Sequence, residues 1–152
     1  MYSGGPVAKE LVMVERPSVD TSGEWRRALE VSERLMRTTS ELELEPRSEW
    51  LRQVMNEAAT QLRAAVLWAA SQGVTEEGVQ RLRAHVVAAD AARSDASLAS
   101  YFLNFLNHEG LIDEAKALEV ESLLHETELD MADMSQRLTR ELGFDPYAAY
   151  PE

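Results

Sequence analysis

The 152-residue chain contains no cysteine. That absence excludes disulfides, thiolate metal ligands and a cysteine nucleophile, and leaves the redox compartment unmarked. Long hydrophobic runs are also missing. The most apolar stretch, Ala64 to Ala70, falls well short of the roughly 20 residues that span a bilayer. Met1 to Pro17 has neither the basic start nor the long apolar segment of a secretory signal, so the expected location is cytoplasmic. Basic residues are scarce: 15 Lys and Arg stand against 27 Asp and Glu, a net charge of −12. A surplus of that sign repels phosphate backbones and anionic lipid surfaces.

Proline and glycine are few, and their placement is informative. The five prolines are Pro6, Pro17, Pro46, Pro146 and Pro151, so none interrupts Arg47 to Asp145. Within that stretch the glycines are Gly73, Gly78, Gly110 and Gly143. Proline breaks helix interiors and glycine favours helix ends, so the spacing predicts long helices with few interruptions. A hydrophobic fraction of 45% sits at the globular norm and excludes wholesale disorder. The length suits one domain.

Apolar periodicity supplies four helices. The first starts near Thr21 to Gly23, where Thr21 and Glu24 have capping-box spacing, and carries Trp25, Ala28, Leu29, Ser32, Leu35 and Met36. The second is capped by Ser48 after Pro46 and runs through Leu51, Val54, Met55, Ala58, Leu62, Ala65, Val66 and Ala69 to a stop at Gly73. Thr75 is the expected cap of the third, whose stripe is Val79, Leu82, Val86, Ala89, Ala96, Ala99, Leu103 and Leu106, with a kink allowed at Ser94 to Ser97. Asp113 caps the fourth. Its positions Val120, Leu124, Thr127, Met131, Met134, Leu138 and Leu142 approach a coiled-coil seam, and Gly143 ends it.

Short connections favour antiparallel neighbours. The expected fold is therefore all-α: an up-down-up-down four-helix bundle over residues 21–142. Residues 1–20 form an N-terminal arm, strand-like at Leu11 to Val14 or disordered, and residues 143–152 a flexible tail holding Phe144, Tyr147 and Tyr150.

Catalytic signatures are thin. A carboxylate-bridged di-metal bundle needs Glu-x-x-His on two helices, and none of His85, His108 and His125 has a Glu three residues before it. Glu121, His125 and Glu128 share one helical face, which makes a carboxylate-metal enzyme the remaining alternative of that class. Nucleophile elbows, phosphate-cradling loops and His-Glu-x-x-His are absent. No catalytic residue, cofactor site or metal ligand is assigned, and the expectation is not an enzyme.

Aromatics and charge point elsewhere. Tyr101 and Phe102 fall outside the stripe of the third helix, as Leu67 and Trp68 do in the second, which predicts second apolar faces for packing or assembly. From Glu109 to Glu152 there are 12 acidic residues against Lys116, Arg137 and Arg140, so most of the net charge lies in the final 44 residues. Arg47 to Arg93 is nearly neutral, with six Arg against five acids. The acidic block is either a solvated face or a docking surface for a basic protein.

The segment Phe105-Leu-Asn-His-Glu-Gly-Leu-Ile-Asp-Glu114, with the amphipathic helix after it, resembles the four-helix-bundle family of ribosomal RNA intervening-sequence proteins and the retroelement accessory protein Avd. Trp25-Arg-Arg-Ala-Leu-Glu30 and Gln61-Leu-Arg-Ala-Ala-Val66 add weaker likenesses, and the match spans about residues 23–142. Where that family often has Asn-Ile-Ala-Glu-Gly, this chain reads Ala69-Ala-Ser-Gln-Gly73. The resemblance implies a non-catalytic bundle that oligomerises, as a pentamer in Avd, and works through nucleic acid and protein partners. The acidity of this chain opposes the nucleic-acid part of that inheritance.

Together these readings predict a non-enzymatic, oligomeric interaction or accessory protein. Its acidic last helix would dock a basic protein through Glu119, Glu126, Asp130 and Asp133, with Phe144, Tyr147 and Tyr150 as a short docking peptide. A nucleic-acid-associated bundle using the six arginines of Arg47 to Arg93 is the alternative.

Overall fold

Three of the four glycines that punctuate the central sequence mark helix boundaries. The computed structural model describes residues 23–75 and 78–148. Gly78, Gly110 and Gly143 adopt φ of +58°, +73° and +86°, a left-handed backbone that suits glycine best. The helices are α1 (Gly23–Ser40), α2 (Glu49–Thr75), α3 (Gly78–His108) and α4 (Glu114–Leu142). Each packs on its sequence neighbours and α1 closes the ring against α4, as in an up-down-up-down bundle. The α3–α4 contact is the most extensive and the α1–α4 contact the least.

Local chemistry accounts for most boundaries. Asp113 is the N-cap of α4, its carboxylate accepting from the Lys116 amide at 3.1 Å. At the other end the Gly143 amide donates to the Thr139 carbonyl at 3.0 Å. Pro46 to Ser48 form a 3-10 turn that leads into α2. Two expected boundaries move. Gly73 does not stop the second helix, which continues to Thr75, so Thr75 ends α2 rather than capping α3. The break comes where Gly78 takes up positive φ, whereas a helix tolerates Gly73 at a cost of only about 1 kcal/mol. The third helix is unbroken through Ser94 to Ser97. Thr21 of the expected capping box, and the arm to which Leu11 to Val14 belong, lie outside the described residues.

The core follows the predicted stripes. Trp25, Leu35, Leu51, Met55, Leu62, Leu103, Leu106, Leu124 and Met131 are fully enclosed. On α3 the buried line is largely alanine (Ala88, Ala89, Ala92, Ala96 and Ala99), which lets the backbones of α2 and α4 approach closely. Val79, expected in the stripe, is instead about half exposed. Among the described residues no helix is long and apolar enough to cross a membrane.

Candidate interaction surfaces

The acidic fourth helix meets a face of α1 that carries Arg27 and Arg34. Because the two helices run antiparallel, their charges form a ladder. Glu24 pairs with Arg137 at 2.6 Å, Arg27 with Asp130 at 3.0 Å, Arg34 with Glu119 at 2.7 Å and Glu41 with Lys116 at 3.1 Å. The signs reverse at both ends, so a slip of one helical turn would bring like charges together. Each exposed pair is worth only about 0–1 kcal/mol, so the ladder acts on register more than on stability. Between α1 and α4 lies a half-open groove of about 470 Å³, floored by Val31, Leu123 and Thr127 and edged by Arg37 and Glu126.

Of the residues expected to dock a partner, Glu119 and Asp130 are therefore already engaged by α1. Asp133 accepts from Arg137 Nε at 3.0 Å within its own helix. Glu126 stands at the groove without an ion pair among the described residues, and Glu128 edges a second groove, between α3 and α4. Phe144 and Tyr147 are exposed, and Tyr150 lies outside the described residues. The segment after Gly143 turns back onto α3. Arg83 donates from Nε to the Pro146 carbonyl at 2.7 Å and from a terminal nitrogen to the Ala148 carbonyl. The Tyr147 hydroxyl donates to Asp90. Desolvation, reinforced by that bond and by the charges of Asp90 and Asp145, pushes the phenol up to about 12.

Of the six arginines from Arg47 to Arg93, four stand in separate surroundings. Arg52 and Arg83 spend their guanidinium groups on backbone carbonyls, while Arg47 pairs with Glu45 at 3.3 Å and Arg93 edges the α3–α4 groove. Glu121, His125 and Glu128 lie along one side of α4. Among the described residues, no group of three His, Cys, Asp or Glu side chains comes together to hold a metal ion.

His85 has a structural part that spacing does not reveal. Its ring stands edge-on to Trp25 at 6.0 Å, and its Nε2 lies 2.9 Å from the Ala69 carbonyl. A carbonyl only accepts, so Nε2 carries the proton and ties α3 to α2. Burial holds the imidazole pKa below 6.5, opposed by the Ala69 bond and aided by the Arg81 charge. The folded state therefore binds the acidic proton less readily than the unfolded chain does. His85 contributes its full share above the unfolded value of 6.5, and that share declines as pH falls from 6.5 towards the lower folded value. Urea melts at about pH 7.5 and pH 5.5 on wild type and His85→Gln check the sign. The wild type is expected to lose more stability over that interval than the variant.

The apolar surface is concentrated on α3. Leu98, Tyr101 and Phe105 are 46%, 69% and 40% exposed, and they follow Ser94 in steps of four, three and four along one crest. Tyr101 packs edge-on against Phe102 at 5.3 Å, and Phe102 itself leans into the core. Leu67, Trp68 and Trp50 of α2 are likewise exposed. No known protein family, curated protein or solved structure matches this chain.

Proposed function

We propose that the chain is a non-enzymatic, oligomeric interaction protein of the cytoplasm that docks a basic protein partner through α4. The observation that carries this reading is the charge left over after the α1–α4 ladder forms. The helix holds eight carboxylates against three cations, and Glu121, Glu126 and Glu128 carry no ion pair among the described residues. Arg27 and Arg34 show the mode of engagement, a guanidinium seated on a carboxylate of α4, which a basic partner would extend to the grooves beside Glu126 and Glu128. The likeness of Phe105 to Glu114 to the intervening-sequence and Avd family supports an accessory role and assembly into oligomers.

The test is affinity capture from a lysate of the source organism at moderate salt, with wild type beside Glu126→Gln/Glu128→Gln. Neither substituted residue belongs to an ion pair among the described residues, so the fold is untouched. The expected result is a basic protein retained by wild type and lost from the variant. Nothing retained, or equal retention by both, overturns the reading. A shift of duplex nucleic acid at low salt by both proteins would favour the nucleic-acid-associated alternative instead.

A further inference from the structure

The described residues after Gly143 lie back along α3 instead of leaving the bundle. Arg83 holds them at two points, the Pro146 carbonyl at 2.7 Å and the Ala148 carbonyl. Between those points the Tyr147 hydroxyl donates to Asp90, seven residues and about two turns along α3 from Arg83. Pro146 is buried, but Phe144 and Tyr147 are 39% and 59% exposed, so the segment covers little apolar surface. Gly143, with φ of +86°, supplies the turn out of α4. A segment held by a few polar contacts beyond a glycine turn opens without unfolding the helices it rests on.

Asp90 also lines the groove between α3 and α4. Of the charged residues around that groove, Asp90 and Glu128 are acidic and Arg93 is basic. We infer that residues 143–148 form a strap that closes the Asp90 end of this groove and competes with the basic partner for that carboxylate. The strap's role rests on docking through α4 and supplies the regulation of the groove beside Glu128. A carboxylate that takes a guanidinium in two parallel hydrogen bonds must offer both oxygens. With the strap closed, one oxygen of Asp90 already accepts from the Tyr147 phenol. The partner then meets Glu128 with Arg93 opposing it, whereas an open strap offers Asp90 and Glu128 together. The phenol stays protonated at physiological pH, because desolvation, the Asp90 bond and the charges of Asp90 and Asp145 push its pKa up to about 12. Its hydroxyl is therefore always ready to donate, and the groove binds in proportion to the fraction of molecules with the strap open.

The probe is a fluorescein-labelled octa-arginine peptide, titrated into the full chain at about 0.1 M salt and read by anisotropy. Tyr147→Phe keeps the ring and removes the bond to Asp90. It is expected to bind the peptide about 3–10-fold more tightly than wild type. In an Asp90→Asn background the same substitution should change nothing, because the contested carboxylate is gone. Closure is read separately from affinity at the Arg83 Nε–H, which donates to the Pro146 carbonyl. Its NMR signal should exchange faster with water once wild type is saturated with peptide. Equal binding by wild type and Tyr147→Phe, a gain that survives Asp90→Asn, or an Arg83 signal indifferent to the peptide overturns the strap. If Glu126→Gln/Glu128→Gln still weakens binding in those cases, docking through α4 stands without it. Peptide bound by none of these proteins, Tyr147→Phe included, overturns docking through α4 and the strap with it.

Discussion

Trp25→Ala is expected to destabilise the bundle by about 3–5 kcal/mol, a large fraction of the roughly 5–15 kcal/mol that holds a domain together. Trp25 is 1% exposed and lies in the first turns of α1 with its ring edge-on to His85 of α3. Truncation removes the largest apolar side chain of the core and leaves a cavity that fixed backbones cannot fill. It also removes an anchor of the helix least firmly held, because α1 reaches α4 through ion pairs over a half-open groove. The amides of α1 should therefore lose hydrogen-exchange protection before those of α3 and α4 do. Urea denaturation measures the change, and thermal melts should show a midpoint about 10–15 °C lower. Trp68→Ala provides the contrast. That indole is 43% exposed, and its loss is expected to shift stability by no more than about 0.5–1 kcal/mol. Equal effects at the two sites would contradict the placement of Trp25.

Features determined by a few consecutive residues are legible in the sequence. Asp113 three residues before Lys116 is a local cap, Gly143 a local left-handed stop, and the stripes of α1 to α4 follow from helical period alone. Gly73 and Thr75 mislead because a glycine inside a helix costs little, and only the backbone at Gly78 shows where the turn falls. Tyr101 stands apart from the core line of α3, as its position in the helical period requires. Its neighbour Phe102, one step round the helix, falls on the flank of the buried line through Ala99, Leu103 and Leu106 and is partly buried against the core. The contacts of Arg52, Arg83 and His85 each join residues 10 to 65 positions apart, so no spacing rule announces them.

The acidic last helix illustrates the same limit with more consequence. As composition, the block after Glu109 is a surplus awaiting a basic partner. In three dimensions part of that partner is Arg27 and Arg34 of the same chain, with Glu24 and Glu41 answering Arg137 and Lys116 at the ends. Composition counts charges but does not say which ones face each other. Ion pairing takes up Glu119, Asp130 and Asp133 and leaves Glu121, Glu126 and Glu128 along the middle of α4, with Glu114 and Glu141 at its ends. Glu126 and Glu128 flank α4 on opposite sides, so an incoming basic surface has two grooves to choose between rather than one face to cover.

Arg52→Ala is the second substitution with a large expected effect, about 2–3 kcal/mol. The last carbonyls of a helix have no partner within it, and at the end of α1 Arg52 supplies one. Its Nη1 donates to the Thr39 carbonyl at 2.6 Å, and its Nη2 donates to the Leu42 carbonyl at 2.8 Å, while Nε is held by the Glu49 carboxylate. One planar cation thus closes the α1 terminus, favours the negative end of that helix, and keeps the buried Leu42 of the connection against the core. Hydrogen bonds donated by a charged group to carbonyls that water reaches poorly contribute about 1.5–3 kcal/mol, more than an exposed ion pair. Lysine carries the charge but not the fork, so Arg52→Lys is expected to recover less than about half of the loss. Glu49→Gln removes only the exposed carboxylate and should cost less than about 1 kcal/mol. Urea melts of the three variants order these effects. If Arg52→Ala costs no more than Glu49→Gln, the arginine is only a surface ion and the two carbonyl bonds do not hold the end of α1.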